Sequence, residues 1–259
     1  MIDIGVNLTN SRFDKDRETV IDSAVSQGIS HLLVTGTSIK ESQQALALAE
    51  QYPNIIASTA GVHPHDADGV SDDYLEHLSE LAKNPLVKAI GECGLDFNRN
   101  FSAPEQQKKV FAEQVALASK VQKPLFLHQR EAFTEWLDIL KPYIGKVPAM
   151  VSHCFTDNKD VLLSCLDAGM YIGITGWVCD ERRGHALQEA VKLLPLSRLM
   201  IETDAPYLTP RTIRPRPKSS RNEPKYLPYV VKTIAELKGV GEEAIIEAST
   251  TNAKKVFQL

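Results

Sequence analysis

The sequence predicts an α/β fold: a single (β/α)8 TIM barrel spanning residues 1–259. Three observations carry this. Eight short apolar runs recur along the chain, amphipathic stretches separate them, and residues able to ligate metal or move protons fall where those runs end. Eight strand-then-helix units fit this length, and parallel strands covered on both faces read as near-continuous apolar runs. The rival, an open doubly wound sheet, would favour a G-x-G-x-x-G turn after the first strand, and none is present.

The runs, in order, are 1–7, 31–36, 55–62, 87–92, 124–128, 149–153, 171–175 and 199–204. Between them, residues 13–27 place Val20, Ile21, Ala24 and Val25 on one helical stripe, with Gly28 as the stop. Ser71 is the expected cap of a helix through Leu75, Leu78 and Leu81. Pro104 opens a helix over 104–121, since proline is well tolerated in the first turn. After the eighth run, a Pro/Arg-rich loop at 205–224 precedes helices near 225–238 and 242–256.

Composition narrows the class. No apolar run approaches the roughly 18–20 residues that span a bilayer, so no membrane partner is expected. The N-terminus shows no basic leader, and the expected location is the cytoplasm. Cys93, Cys154, Cys165 and Cys179 form no C-x-x-C pair and are expected to stay reduced. A net charge of −4 gives no global sign of nucleic-acid binding, so any anion-binding surface must be local.

The candidate site follows from the strand ends. The first run ends at Asn7, the third leads into His63 and His65, and the fourth ends at Glu92. The fifth ends at His128, the sixth at His153 and the eighth at Asp204. In a parallel barrel these ends share one rim, where active sites of this architecture lie. Glu92, His128, His153 and Asp204 form a ligand set suited to a divalent cation in a hydrolase. Each alone has an ordinary structural reading, as a hydrogen-bonded polar residue or a turn former; the joint placement of four carries the argument. Strand alternation turns Cys93 and Cys154 away from that set, toward the helices. His31, His77 and His185 fall outside the pattern and are taken as structural or surface residues.

The segments GVHPHD, GECGLDFNR, HQRE, SHCF, YIGITG and IETDAPYL, in that order, resemble the TatD-type metal-dependent deoxyribonucleases over essentially the whole chain. DIGVNLT and WVCDERRG place the resemblance nearest to bacterial members. The resemblance implies a TIM barrel of the metal-dependent hydrolase type. It also implies a 3′→5′ exonuclease that prefers single-stranded DNA, also acts on RNA, and has a role in DNA repair. By position it makes Glu92, His128 and His153 metal ligands, Asp204 an acid that binds metal or handles water, and His63 a site histidine. One departure stands out: Gly5-Val6-Asn7 replaces the His-x-His pair that many members carry. A second ion should then be weaker or held by oxygen donors, which suits Mg2+, with Mn2+ or Zn2+ as alternatives.

On this reading Asp204 is the general base, Glu92 belongs to the catalytic set as a metal ligand, and His63 contacts the phosphate or assists the leaving oxygen. The loop after the eighth run offers Arg211, Arg214, Arg216, Lys218, Arg221 and Lys225 against one acid, Glu223. With Arg99, Arg130, Arg182, Arg183 and His65, it forms the expected surface for single-stranded DNA or RNA. Phe97, Phe155, Trp177 and Tyr207 are candidates to stack on bases. The alternative is a deacylase of the same fold acting on aminoacyl-tRNA or another ester or amide. A non-catalytic binding barrel is opposed by the intact set of Glu92, His128, His153 and Asp204. A monomer is expected.

Overall fold

The computed structural model describes residues 1–259. The strands are β1 (Ile2–Val6), β2 (His31–Val34), β3 (Ile56–Ala60), β4 (Val87–Asp96), β5 (Leu125–Arg130), β6 (Met150–Ser152), β7 (Tyr171–Ile174) and β8 (Leu199–Ile201). The helices are α1 (Arg17–Ser26), α2 (Ile39–Gln51), α3 (Tyr74–Leu81), α4 (Pro104–Val121), α5 (Phe133–Leu140), α6 (Lys159–Asp167), α7 (His185–Leu193), α8 (Leu227–Lys238) and α9 (Glu242–Phe257). The strands form one eight-stranded sheet in sequential order, with helices between, and the chain is a (β/α)8 barrel. No helix is long and apolar enough to cross a membrane. All four cysteines are free, as expected.

Contacts divide the chain into two compact units. One comprises Val34–His153 with Ala168–Met170. Its central strand, β4, is longer than the sequence suggests. The expectation ended it at Glu92; it runs on through Cys93, Gly94 and Leu95 to Asp96. Its pairing with β5 explains why. Ile90 opposes Leu125 and Cys93 opposes Leu127, three steps against two, so the strand bulges at Gly91–Glu92 and then continues. Two glycines make this possible. Gly91 (φ +137°) and Gly94 (φ +154°) adopt backbone that side chains rarely tolerate. A Cβ there would sit 2.1 Å from the Phe126 carbonyl oxygen and 1.8 Å from that of His128. In the same unit α4 begins at Pro104 and ends at Val121, as its spacing predicts, and buries Val110, Phe111, Val115 and Ala118. Helix α3 starts later than expected, at Tyr74; Ser71 bonds the Asp73 carboxylate instead of capping the helix.

The other unit comprises Met1–Leu33, Cys154–Asp167 and Tyr171–Leu259. Within it Val6 bridges Ala205 in parallel, and the amide of Asp204 donates to the Gly5 carbonyl at 2.8 Å. Helix α1 is shorter than predicted because a separate turn, Ser11–Phe13, takes up the first residues. Val25, assigned to its buried stripe, is 43% exposed, while Val20, Ile21 and Ala24 are buried.

Candidate metal and carboxylate–histidine centre

Three imidazoles converge on one carboxylate oxygen. His153 Nε2 lies 2.7 Å from Glu92 Oε1, His128 Nδ1 3.0 Å and His63 Nε2 3.3 Å. The amide of Glu92 donates to the Gly36 carbonyl, which fixes its backbone. The His153 ring stacks on Phe126, centroids 4.5 Å apart. Burial pushes the Glu92 carboxyl up, but the charges of His153 and His63 and hydrogen bonds from His128 and His153 outweigh it. The carboxyl is therefore held well below the usual range.

The histidines differ in state. The amide of His65 donates to His63 Nδ1 at 3.1 Å, so a neutral His63 carries its proton on Nε2 and points that N–H at Glu92. Burial lowers the His63 pKa to about 4, against the raising effect of Glu92. His128 is pulled the other way: burial would lower it, and the Asp96 and Glu92 carboxylates raise it. Its Nε2 is buried without a hydrogen-bond partner, 3.7 Å from Asp96 Oδ2, too long for a bond.

Asp96 is the residue sequence reasoning missed. It is 1% exposed and binds His65 Nε2 at 2.7 Å through Oδ2. Its Oδ1 accepts the amides of Asn98 at 3.0 Å and Arg99 at 2.9 Å. Burial raises its carboxyl, but His128, the Arg99 amide and His65 hold it below the usual range. The signal was present in GECGLDF, at the same parity as Glu92, but only a strand extending past the glycine places Asp96 on Glu92's face.

Two fully buried glutamines on α4, seven residues apart, hold the backbone around this centre. The Gln107 side chain accepts the Asp96 amide at 2.9 Å and donates to the Asp96 and Ser102 carbonyls. Gln114 does the same one step away from His63. It accepts the Val62 amide at 2.8 Å and donates to the Val62 carbonyl at 2.9 Å.

The donor set fits a divalent cation. The side-chain ligand atoms of His63, Glu92 and His128 lie within 4.8 Å of one another, and His128 Nε2 has an unmet bonding capacity. His63 Nδ1 already accepts the His65 amide, so its Nε2 is the ring nitrogen that faces Glu92.

In the other unit, Asp204 stands after β8 with φ +53°, and Asn7 Nδ2 donates to its Oδ1 at 2.9 Å. Cys154 does not face the helices as alternation suggested. It is half-buried with φ +45°, which breaks the alternation, and its Sγ is 3.9 Å from Asp204 Oδ2. Cys93 behaves as expected, fully buried with Sγ against the Phe126 carbonyl.

The basic residues divide. Arg99 and Arg130 are exposed; Arg182 also has an exposed side chain, with its Nε 3.5 Å from Asp180 Oδ1. Arg211 forms a two-pronged pair with Glu181, at 2.8 and 3.1 Å, so its charge is matched. Arg221 is a correction. Both terminal nitrogens grip Asp16 at 2.7 Å, one also meets Glu223, and the guanidinium lies 5.0 Å from the Phe13 ring centroid. It staples the loop to the fold instead of facing a ligand. Of the aromatic candidates, Phe155 is buried and unavailable, and Tyr207 is exposed.

The chain is similar to known proteins over its whole length. Residues 2–258 match the family model described as TatD related DNase. A protein of Pectobacterium carotovorum subsp. carotovorum named 3'-5' ssDNA/RNA exonuclease TatD is 51% identical over 259 residues, covering 100% of both chains. One of the same name from Erwinia amylovora is 53% identical, again over 100% of both. Among solved structures, the TatD homologue YJJV of Escherichia coli superposes with a TM-score of 0.90 at 27% identity, covering 100% of this chain and 98% of its own. A TatD family hydrolase of Entamoeba histolytica gives a TM-score of 0.90 at 26% identity, covering 99% and 97%.

Proposed function

The chain belongs to the TatD-related DNases, and from that premise we propose that it hydrolyses phosphodiester bonds as a 3′→5′ exonuclease on single-stranded DNA and RNA, with Mg2+ as its ion. The observation that carries the reading is the convergence of His153, His128 and His63 on Glu92 Oε1. Glu92, His128 and His153 would hold the cation. The chemistry such an ion would supply there is neutralisation of charge on the phosphoryl oxygens and a lowered pKa for a water.

The remaining steps belong to the side chains. Neutral His63, with its proton on Nε2, donates to a phosphoryl oxygen or the leaving oxygen. Asp204 takes the water's proton, oriented by the Asn7 amide, which can only donate to it. His65, fixed by Asp96, and the exposed Arg99, Arg130 and Arg182 meet the strand's phosphates. Arg221 is not among them.

The test is digestion of 5′-labelled single-stranded DNA and RNA across a titration of Mg2+, Mn2+ and Zn2+. A ladder shortening from the 3′ end, absent in chelator, is expected. Metal-independent digestion, or products released from the 5′ end, would overturn the reading. If Asp204→Asn still digests the strand at the wild-type rate with metal bound, Asp204 is not the base.

A further inference from the structure

The loop after β4 is pinned on both sides of one exposed ring. Ahead of that ring, the amides of Asn98 and Arg99 donate to Asp96 Oδ1, and Asn100 Nδ2 donates to the Phe97 carbonyl at 2.8 Å. After it, Ser102 is 1% exposed. Its hydroxyl donates to the His65 carbonyl at 2.9 Å and accepts the Asp68 amide at 3.0 Å. Gln107 takes the Ser102 carbonyl at 2.9 Å. Between these fixed points Phe101 is left 63% exposed. A single exposed apolar residue is ordinary. This one is held on a pinned loop, and its ring packs against His65 in a T-shaped arrangement, centroids 4.7 Å apart. His65 is in turn bonded to Asp96. The Arg99 guanidinium carbon lies 5.8 Å from the ring centroid.

Resting on the nuclease reading above, we propose that Phe101 is a stacking platform for one unpaired nucleobase of the strand being cut, with Arg99 beside it on the strand's phosphate. A largely exposed aromatic ring, next to a cation and a bonded histidine, suits a flat heterocycle carried on a phosphate backbone. Stacking on such a face tolerates any base, because every base has one. A base inside a duplex has both faces covered by its neighbours and reaches the ring only after unstacking. The platform therefore favours single strands without reading sequence.

The experiment compares wild type, Phe101→Leu and Phe101→Trp on a single-stranded oligonucleotide, on the same oligonucleotide with abasic residues at its 3′ end, and on a blunt duplex. Thermal melting checks that both variants fold, which is expected at so exposed a position. On the intact single strand Phe101→Leu should lose about tenfold in kcat/KM, mainly through KM, and Phe101→Trp should recover it. On the abasic strand wild type and Phe101→Leu should be equal, and the leucine variant's preference for single over double strands should shrink. Wild-type rates for Phe101→Leu on the intact strand, or an equal loss on the abasic one, overturn the proposal and leave the nuclease reading standing. Wild-type protein that cuts none of the three overturns both.

Discussion

Replacing Gln114 by leucine removes a partner that the fold does not duplicate. The Gln114 side chain is fully buried and holds the Val62 amide and carbonyl at 2.8 and 2.9 Å. Leucine fills a similar space but leaves both backbone groups buried and unpaired. Each costs about 1–3 kcal/mol, so the expected loss is about 4 kcal/mol, with a range of roughly 2–6. Urea denaturation at neutral pH measures it as a shift of midpoint at constant slope. Val62 precedes His63, so kcat should fall as well, because displacing an oriented donor is costly. Gln114→Glu adds a sign test. Its neutral acid can donate to the Val62 carbonyl, and its ionised form cannot. The buried folded state should therefore hold the proton above the unfolded value of about 4.3. Its stability relative to wild type should be greatest below that value and fall as pH rises. A leucine variant within about 0.5 kcal/mol of wild type would refute the clamp.

Glu92→Gln should weaken Mn2+ binding by calorimetry, and slow metal-dependent digestion, each by at least about a hundredfold; an unchanged half-saturating metal concentration would remove Glu92 from the ligand set. Asp3 offers a pH test, because burial raises its carboxyl from 3.8 to about 7, partly offset by the Thr203 hydroxyl and amide. A raised carboxyl contributes its stability below the unfolded value and loses it as pH rises through about 7. The melting temperature of wild type relative to Asp3→Asn should thus decline between pH 4 and 8, by the equivalent of about 4 kcal/mol at most. Parallel profiles would count against it. Arg221→Ala should lower stability by about 1 kcal/mol and leave the salt dependence of oligonucleotide binding unchanged; a shallower salt slope would return Arg221 to the binding surface.

Much of the fold was legible because it rests on local pattern. The apolar runs located the strands, and Pro104 fixed the start of α4 to the residue. The misses are those where one backbone angle or a distant partner decides. The reading of Cys154 assumed unbroken alternation, and a φ of +45° removes that assumption. Arg221 looked like one cation among several, but its partner Asp16 lies 205 positions away in sequence. Gln107 and Gln114 read as ordinary polar residues on an amphipathic helix. Nothing local says that their amides face inward to Asp96 and Val62.

The glycines around Glu92 mattered for a reason beyond letting backbone approach. Gly91 lies at the bulge, and Gly94 is where β4 comes closest to the His128 backbone of β5. Past the bulge, Glu92, Gly94 and Asp96 share a parity and hence a face. His128 pairs directly with Gly94 across β5, so its ring lies between the two carboxylates, Nδ1 at 3.0 Å from Glu92 and Nε2 at 3.7 Å from Asp96. Any side chain at 94 would collide with the His128 carbonyl and part the two strands there. One short segment thus carries a carboxylate, a gap that admits a histidine, and a second carboxylate. His63 and His153 complete the first carboxylate, and His65 the second. The chemistry is spaced by the pleat of β4, which is why a strand cut off at Glu92 displays only half of it.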